Sequence, residues 1–316
     1  MDFQTRIPIL QQSSCPIDYH SKIFLIGSCF SENIGNKLSY CKFQSVQNPF
    51  GILFHPKAIE TLICRAINEK EFTENEVFFF NELWHCFDVH SHLSSISKES
   101  ILEKLNTKLT ATHEHLKKSS HIIITLGTSW VYRFKESNAI VANCHKIPQH
   151  QFVKELLSIN QITTGLTSMV SLIKKINPSI NFIFTISPVR HLKDGFVENQ
   201  LSKSNLISAV HDVREKQEKI FYFPSYEIMM DELRDYRFYK EDMIHPNSIG
   251  IDYIWEKFSE SWISNEALLD TQQIMKIQKS LEHKPFNPQA KEHLKFLESV
   301  QKQIKKVQEK YPEISF

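Results

Sequence analysis

The groups in this sequence best suited to chemistry sit in short segments that each follow an apolar run. Gly27-Ser28-Cys29-Phe30-Ser31-Glu32 offers a hydroxyl and a thiol at a turn. Asn48-Pro49-Phe50-Gly51, Gly127-Thr128-Ser129-Trp130 and Ser187-Pro188-Val189-Arg190-His191 add amide, hydroxyl, guanidinium and imidazole groups. Late in the chain stands Asp242-Met243-Ile244-His245-Pro246-Asn247. A thiol or hydroxyl at a helix start has its acid form weakened by the helix dipole, and a nearby imidazole can take its proton. Asp242 and His245, three apart before a proline, fit on one side of a turn, where the carboxylate fixes the imidazole tautomer and stabilises the imidazolium. The same pair also suits a plain helix start, because Asp and Asn cap helices and Pro fits the first turn. Backbone N–H groups at Cys29 and Gly51 are candidates to hold an oxyanion, with a side chain from the third-strand loop, Thr128 or Ser129, completing the hole. Asn48 joins this candidate oxyanion and substrate-binding set. Arg190 and His191, with Lys193, suit an anionic substrate group as well as they suit surface salt bridges.

For these segments to meet, the elements before them must lie side by side. Runs rich in β-branched and aromatic residues read as strands at Ile23 to Ile26, Phe43 to Val46, Ile122 to Thr125, Phe182 to Ile186 and Ile220 to Phe223. All but the second are apolar nearly throughout, the pattern of parallel strands buried on both faces. Helical periodicity lies between them, as at Ile162, Leu166, Met169, Val170, Ile173 and Ile176, stopped by Asn177-Pro178, and again at Ile207, Val210 and Val213. Alternating strands and helices predict an α/β doubly wound sheet, with ligands beyond the carboxyl ends of the strands. The stretch between the second and third strands is too long for one crossover helix and holds the aromatic patch FFFNELWHCFDVHSHL, which predicts an insertion at about 68–118 beside the site. Trp84 and Trp130 are candidate pocket lining. After Trp262 the chain turns Gln-, Lys- and Glu-rich, which predicts a helical appendage over 264–316. Its stripe of Leu294, Phe296, Leu297, Val300, Ile304 and Val307 can dock on the core or build a homo-oligomer.

Composition narrows the partners. With 37 basic against 36 acidic residues, the charge of +1 gives no field to recruit nucleic acid or an anionic membrane. No run of 18 apolar residues occurs, and the N-terminal stretch lacks the pattern of a secretory signal. The six cysteines show no C-x-x-C spacing, so reduced thiols and a cytoplasmic location are expected. His85, His90 and His92 with Asp88 have ligand-like density but match no zinc spacing, so neither metal nor cofactor is expected. Only seven glycines occur, and Gly27, Gly51, Gly127 and Gly195 fall in or after the loops above, where the backbone bends or approaches closely.

FLIGSCFSENIG resembles the name-giving block of the GSCFA family, which is distantly similar to the SGNH/GDSL hydrolases. The resemblance runs from about Ile23 to Trp262 through NPFGILFHP, TLGTSWVYR, NCHKIP, SPVRHLKDG and DMIHPN. It implies an SGNH-hydrolase-like, flavodoxin-like three-layer α/β sandwich with a five-stranded parallel sheet in residues 1–263, followed by the C-terminal helical extension. It also implies an esterase-like or acyl-transfer site acting on a small-molecule or carbohydrate acyl ester. By position, Gly27 matches the glycine of G-D-S, Ser28 its aspartate and Cys29 its nucleophilic serine. Gly51 matches the second-block glycine, and Asp242 and His245 the D-x-x-H pair. The third block reads Gly127-Thr128-Ser129, without the asparagine that donates to the oxyanion in the family pattern. Three readings stay open: Cys29 attacks, Ser28 has taken over, or the site is a catalytically silent carbohydrate- or acyl-binding module. An interaction protein assembling through its C-terminal helices is a further alternative.

Overall fold

A strand flanked by helices on both sides must be apolar at consecutive positions, and the chain meets this requirement at its centre. The computed structural model describes residues 5–316. Its main sheet is built from β1 (Lys22–Gly27), β2 (Gln44–Gln47), β5 (His121–Leu126), β9 (Asn181–Ile186) and β10 (Ile220–Phe223), in the order β10-β9-β5-β1-β2 with every pairing parallel. In order along the chain this is second, first, third, fourth, fifth, the flavodoxin-like arrangement expected from the sequence. Phe24, Ile26, Ile122, Ile124, Phe182 and Phe184 turn to one face. There they pack under α2 (Pro56–Ile67), α3 (Lys98–Lys118), α4 (Ile159–Ile176) and α5 (Phe196–Lys216). Ile23, Leu25, Ile123 and Ile183 turn to the other, under α1 (Cys29–Tyr40) and α7 (Ser248–Trp262). The result is a three-layer sandwich.

The second strand departs from its expected span by one residue. Phe43 is buried and stacks on Tyr19 at 4.4 Å, while Gln44–Gln47 is half-buried throughout, because β2 is an edge strand with only one neighbour. Within 68–118, the antiparallel hairpin of β3 (Val77–Phe80) and β4 (Leu83–Cys86) stands apart from the main sheet, whereas α3 puts Ile101, Leu105, Leu109 and Leu116 into the core. A further antiparallel sheet of β6 (Trp130–Phe134), β7 (Ile140–Val141) and β8 (Phe152–Leu156) follows β5 directly. Its strands are only partly buried, so they lack the continuous apolar runs that mark the main sheet.

The C-terminal helices α8 (Asn265–Glu282) and α9 (Lys291–Lys310) dock on their own fold. Ala267, Ile274 and Ile277 of α8 and Val300, Ile304 and Val307 of α9 join the same buried cluster as Leu25, Phe258 and Trp262. Leu294 and Leu297, from the same apolar stripe, remain exposed. Each fully buried aliphatic side chain contributes about 2 kcal/mol, so these helices are part of what closes the sandwich. Among the described residues no helix is long and apolar enough to cross a membrane. Replacing Ile274 by Ala is expected to cost about 3 kcal/mol in urea unfolding, while Leu297→Ala stays within about 0.5 kcal/mol. Equal midpoints for the two variants would show that α8 does not hold the core.

Candidate active site

The carboxyl end of β1 is set by a close backbone approach. Gly27 has a φ of 145°, and a Cβ there would lie 2.2 Å from the Thr125 carbonyl oxygen of β5, so only glycine fits. Three further bonds fix the crossing. The Gly27 N–H donates to Asn48 Oδ1 at 2.9 Å, the Leu53 N–H donates to the Gly27 carbonyl at 2.9 Å, and the Ser28 N–H donates to the Thr125 carbonyl at 3.0 Å. Helix α1 starts at once. Ser28 is its N-cap, with Oγ accepting from the Phe30 N–H at 3.3 Å, and Cys29 is its first residue.

The turn carrying the late motif is built by its own aspartate. Asp242 Oδ1 accepts from the backbone N–H groups of Ile244 and His245, both at 2.9 Å, and Oδ2 lies 2.6 Å from His245 Nδ1. Those two N–H groups, with the imidazole, hold the Asp242 carboxyl down at about 2. Nδ1 is thereby committed as the donor, and Nε2 is the nitrogen left to accept a proton. Asn247 caps α7, accepting from the Gly250 N–H at 3.1 Å. The capping and proton-relay readings of this segment therefore concern different residues: Asn247 caps, and the Asp242–His245 pair does not.

A cavity of about 670 Å³ lies where these pieces converge, lined by Ser28, Cys29, Thr128, Ser187, Arg190, His191 and His245, with Ile52, Phe54, Trp130, Tyr132, Val189, Leu192 and Ile244 as apolar wall. It sits beyond the carboxyl ends of β1, β5 and β9. Lys193 and Asp194 complete its rim, and Lys154 of β8 bonds Asp194 at 2.6 Å while lying 4.5 Å over the Trp130 ring. Of the residues singled out from the sequence, Cys29, Ser28, His245, Thr128, Arg190 and His191 share this cavity, and Asp242 reaches it through His245.

Gly51, Asn48 and Ser129 do not line it. Gly51, with a φ of 79°, faces His90 and His92, whose atoms a Cβ would meet at 2.4 Å, and its N–H donates to the Asn48 carbonyl at 2.8 Å. Asn48 is a clamp on Gly27, its Nδ2 buried without a partner. Ser129 is buried and bonded to Ser202 of α5, and the Thr128 hydroxyl is also tied to Ser202 Oγ, at 2.9 Å. In the histidine-rich patch the side chains are engaged elsewhere, and among the described residues no group of three or more His, Cys, Asp or Glu gathers as a ligand set. His85 bonds Ser94 and the Phe80 carbonyl, and His145 bonds the Cys86 carbonyl at 2.7 Å.

Burial governs the charges. Burial first, then Glu32, push the Cys29 thiol above its ordinary value, opposed by Lys203, the residue's own backbone N–H and Lys240. The resting group is a thiol, so a base must take its proton at the moment of attack. His191 is held neutral, driven down to about 3 by burial, then by Lys203 and His245. Lys203 itself gave no signal in the sequence, because a lysine on a helix reads as solvated. Here it is fully buried, its Nζ donating to the carbonyl of cavity-lining Ser187 at 2.8 Å.

Two family models match the chain, the GSCFA family over residues 22–258 and the GSCFA domain protein C-terminal domain over residues 274–316. No curated protein matches it. Among solved structures, an acetyl xylan esterase (Est2A) from the rumen bacterium Butyrivibrio proteoclasticus is similar at 11% identity with a TM-score of 0.33, over 81% of this chain and 66% of that one. The chain thus spans just under two thirds of that protein's length.

Buried neutral histidines make stability depend on pH. Burial drives His55 and His145 down to about 4 and His191 to about 3, from an ordinary 6.5. The unfolded chain therefore takes up these protons first. Stability is full above about 6.5 and is lost as the pH falls towards about 4, by up to about 1.4 kcal/mol per pH unit for each histidine. Urea midpoints are expected to decline between pH 7 and pH 5; a flat profile over that range would contradict the burial of these rings.

Proposed function

The chain belongs to the GSCFA family, and from that premise we propose that it is an acyl-ester hydrolase or acyltransferase in which Cys29 attacks, His245 moves the proton and Asp242 orients the imidazole. The observation that carries the reading is the shared cavity: the thiol at the head of α1 and the imidazole held by Asp242 line one space, although the sequence separates them widely.

The chemistry follows from the two protonation states. As Cys29 Sγ bonds to the ester carbonyl carbon, its proton passes to His245 Nε2, and the carbonyl π electrons move to oxygen. Asp242, held as a carboxylate, offsets the charge gained by the imidazole. The oxyanion is held by the Cys29 N–H, one of the unpaired donors of the first turn of α1. The Ile52 N–H joins it, since Ile52 lines the cavity and its N–H has no protein acceptor among the described residues. Ser129 occupies the position of the family asparagine but is tied to Ser202, so the neighbouring Thr128 hydroxyl is the side-chain donor that lines the cavity, and a hydroxyl already shared with Ser202 is a weaker donor than a free amide. When the tetrahedral intermediate collapses, the C–O bond to the alcohol breaks and His245 returns the proton to the leaving oxygen. A thioester on Cys29 remains. Water or a second alcohol then attacks that thioester, with His245 as base, and restores the thiol. The apolar wall suits the acyl side of the substrate. Arg190, His191 and Lys193 suit its polar or anionic side, as in an O-acylated carbohydrate.

Ser28 is the weaker candidate nucleophile because its oxygen is engaged as a helix cap. Cys29→Ala and His245→Ala are expected to lower kcat/KM on a short activated ester by about a thousandfold or more, with Asp242→Asn intermediate. Ser28→Ala should retain turnover and lose about 1 kcal/mol of stability with the cap. The opposite pattern would transfer the attack to Ser28, and turnover surviving both substitutions would remove the proposal. Saturable binding of acyl esters with no turnover in the unmodified protein would establish the silent binding module instead.

A further inference from the structure

Beside the catalytic cavity lies a second cleft of about 570 Å³, and Arg190, in the loop after β9, lines both. The start of α5 forms one wall, and the segment between β10 and α7 forms the other. Asn199 of α5 is only 3% exposed, and its Oδ1 accepts from the His191 N–H at 2.8 Å, which fixes the orientation of the carboxamide. Its Nδ2 is left as a donor with no acceptor among the described residues, and it is not sealed in, because Asn199 lines the cleft. Polar groups this deeply buried are ordinarily paired, so a donor without a partner that opens on a cleft points to an accepting atom on a ligand.

Arg190 is half-buried and makes no ion pair among the described residues. Its Nη2 meets the Met230 thioether at 3.1 Å, a weak acceptor. Most of its donors therefore stay available, in a fork that matches the oxygens of a carboxylate or phosphate. The acids of the cleft do not fill this role. Asp235 is taken by Arg237 at 2.9 Å, and Asp231 and Arg234 are exposed groups of opposite sign, screened by water. Much of the remaining wall is aromatic: Phe196 and Tyr236 stand 70% and 72% exposed, and the Tyr226 hydroxyl donates to Gln200 Oε1 at 2.8 Å. Rings left bare inside a polar cleft suit an occupant with apolar faces and a hydroxylated edge, as a sugar ring has.

We infer that this cleft is a subsite for the alcohol half of the ester, holding an anionic oxygen group, carboxylate or phosphate, on Arg190 and Asn199, with a sugar ring against Phe196 and Tyr236. That the occupant is part of a substrate rests on the proposed esterase reading; that an anion binds there does not. Arg190 borders both spaces, so a molecule seated on it extends towards Cys29 on one side and into the second cleft on the other. The apolar wall of the first cavity then takes the acyl group, and the second cleft decides which alcohol is accepted. A neutral analogue leaves the guanidinium fork and the Asn199 donor unpaired, so the site selects against it.

The test is an NMR titration of the full chain, isotope-labelled at its methionine methyl groups, with glucuronate, a glucose phosphate or glucose. Met230 and Met243 line the cleft, whereas Met169 of α4 and Met275 of α8 do not. Saturable shifts of Met230 and Met243 with at least one of the two anions, and none of comparable size with glucose, are expected; the anion that acts identifies the charged group as carboxylate or phosphate. Arg190→Gln is expected to weaken that binding about tenfold or more. An equal response to glucose, no response to either anion, or unchanged affinity in folded Arg190→Gln would overturn the inference. Should Arg190→Gln not fold, the unsubstituted protein decides alone: shifts as large at Met169 and Met275 as at Met230 and Met243 count against the subsite. The two readings fail separately. Hydrolysis of neutral activated esters by a protein whose cleft ignores both anions removes the subsite alone, and anion binding in a protein without turnover removes the esterase reading alone.

Discussion

The whole site depends on the distance between two backbones at Gly27 and Thr125. A side chain at position 27 would collide with the Thr125 carbonyl, so glycine alone lets β1 and β5 stay paired to the last residue and release α1 in the same step. The Asn48 carboxamide and the Leu53 N–H then anchor the loop after β2 to that point. Through this one node the first, second and third strand ends share a fixed geometry. The thiol at 29 and the wall residues Ile52 and Phe54 inherit their positions from it rather than from contacts with each other. The node is built from backbone groups and one amide, which do not change their protonation with pH, so the scaffold stays constant while the groups it carries titrate.

Two environments divide the reacting groups. The sulfur is half-buried at the head of a helix, and burial outweighs the helix and the nearby cations, so its proton stays on. The imidazole and its carboxylate are in a turn with well over a third of each side chain exposed, where water keeps the carboxylate charged and two backbone N–H groups make it still more acidic. A base in contact with solvent can exchange the proton it takes, whereas a nucleophile inside an apolar wall is shielded from competing acids. The division of labour is thus a division of dielectric, set by which element each residue stands on.

How far the sequence discloses this depends on whether a feature is periodic or positional. Strands β1, β5, β9 and β10 were legible because burial on both faces forces apolar residues at consecutive positions, and α4 because its apolar period ends at Asn177-Pro178. Edge strand β2 and the small sheet β6-β7-β8 were faint, since half-burial relaxes the pattern. The Asp242–His245 pair was legible because its contact is local in sequence. Gly51 misled for the opposite reason: its motif position suggested an oxyanion donor, but its N–H is consumed within its own turn and the next residue faces the cavity. Lys203 was invisible, as no local pattern distinguishes a lysine that faces Ser187 from one that faces water.

Tyr19, near the start of the described chain, is buried between Phe43 and Tyr311 and hydrogen-bonded to Thr271. During synthesis on a ribosome, Tyr19 must therefore wait for Thr271 and Tyr311, 252 residues or more further along the chain. Until α9 has emerged, the face of the sheet formed by Ile23, Leu25, Ile123 and Ile183 lacks part of its cover, and a nascent chain exposes it to any passing chaperone. Closure of this face is consequently timed by the arrival of α9, however early the sheet itself has formed.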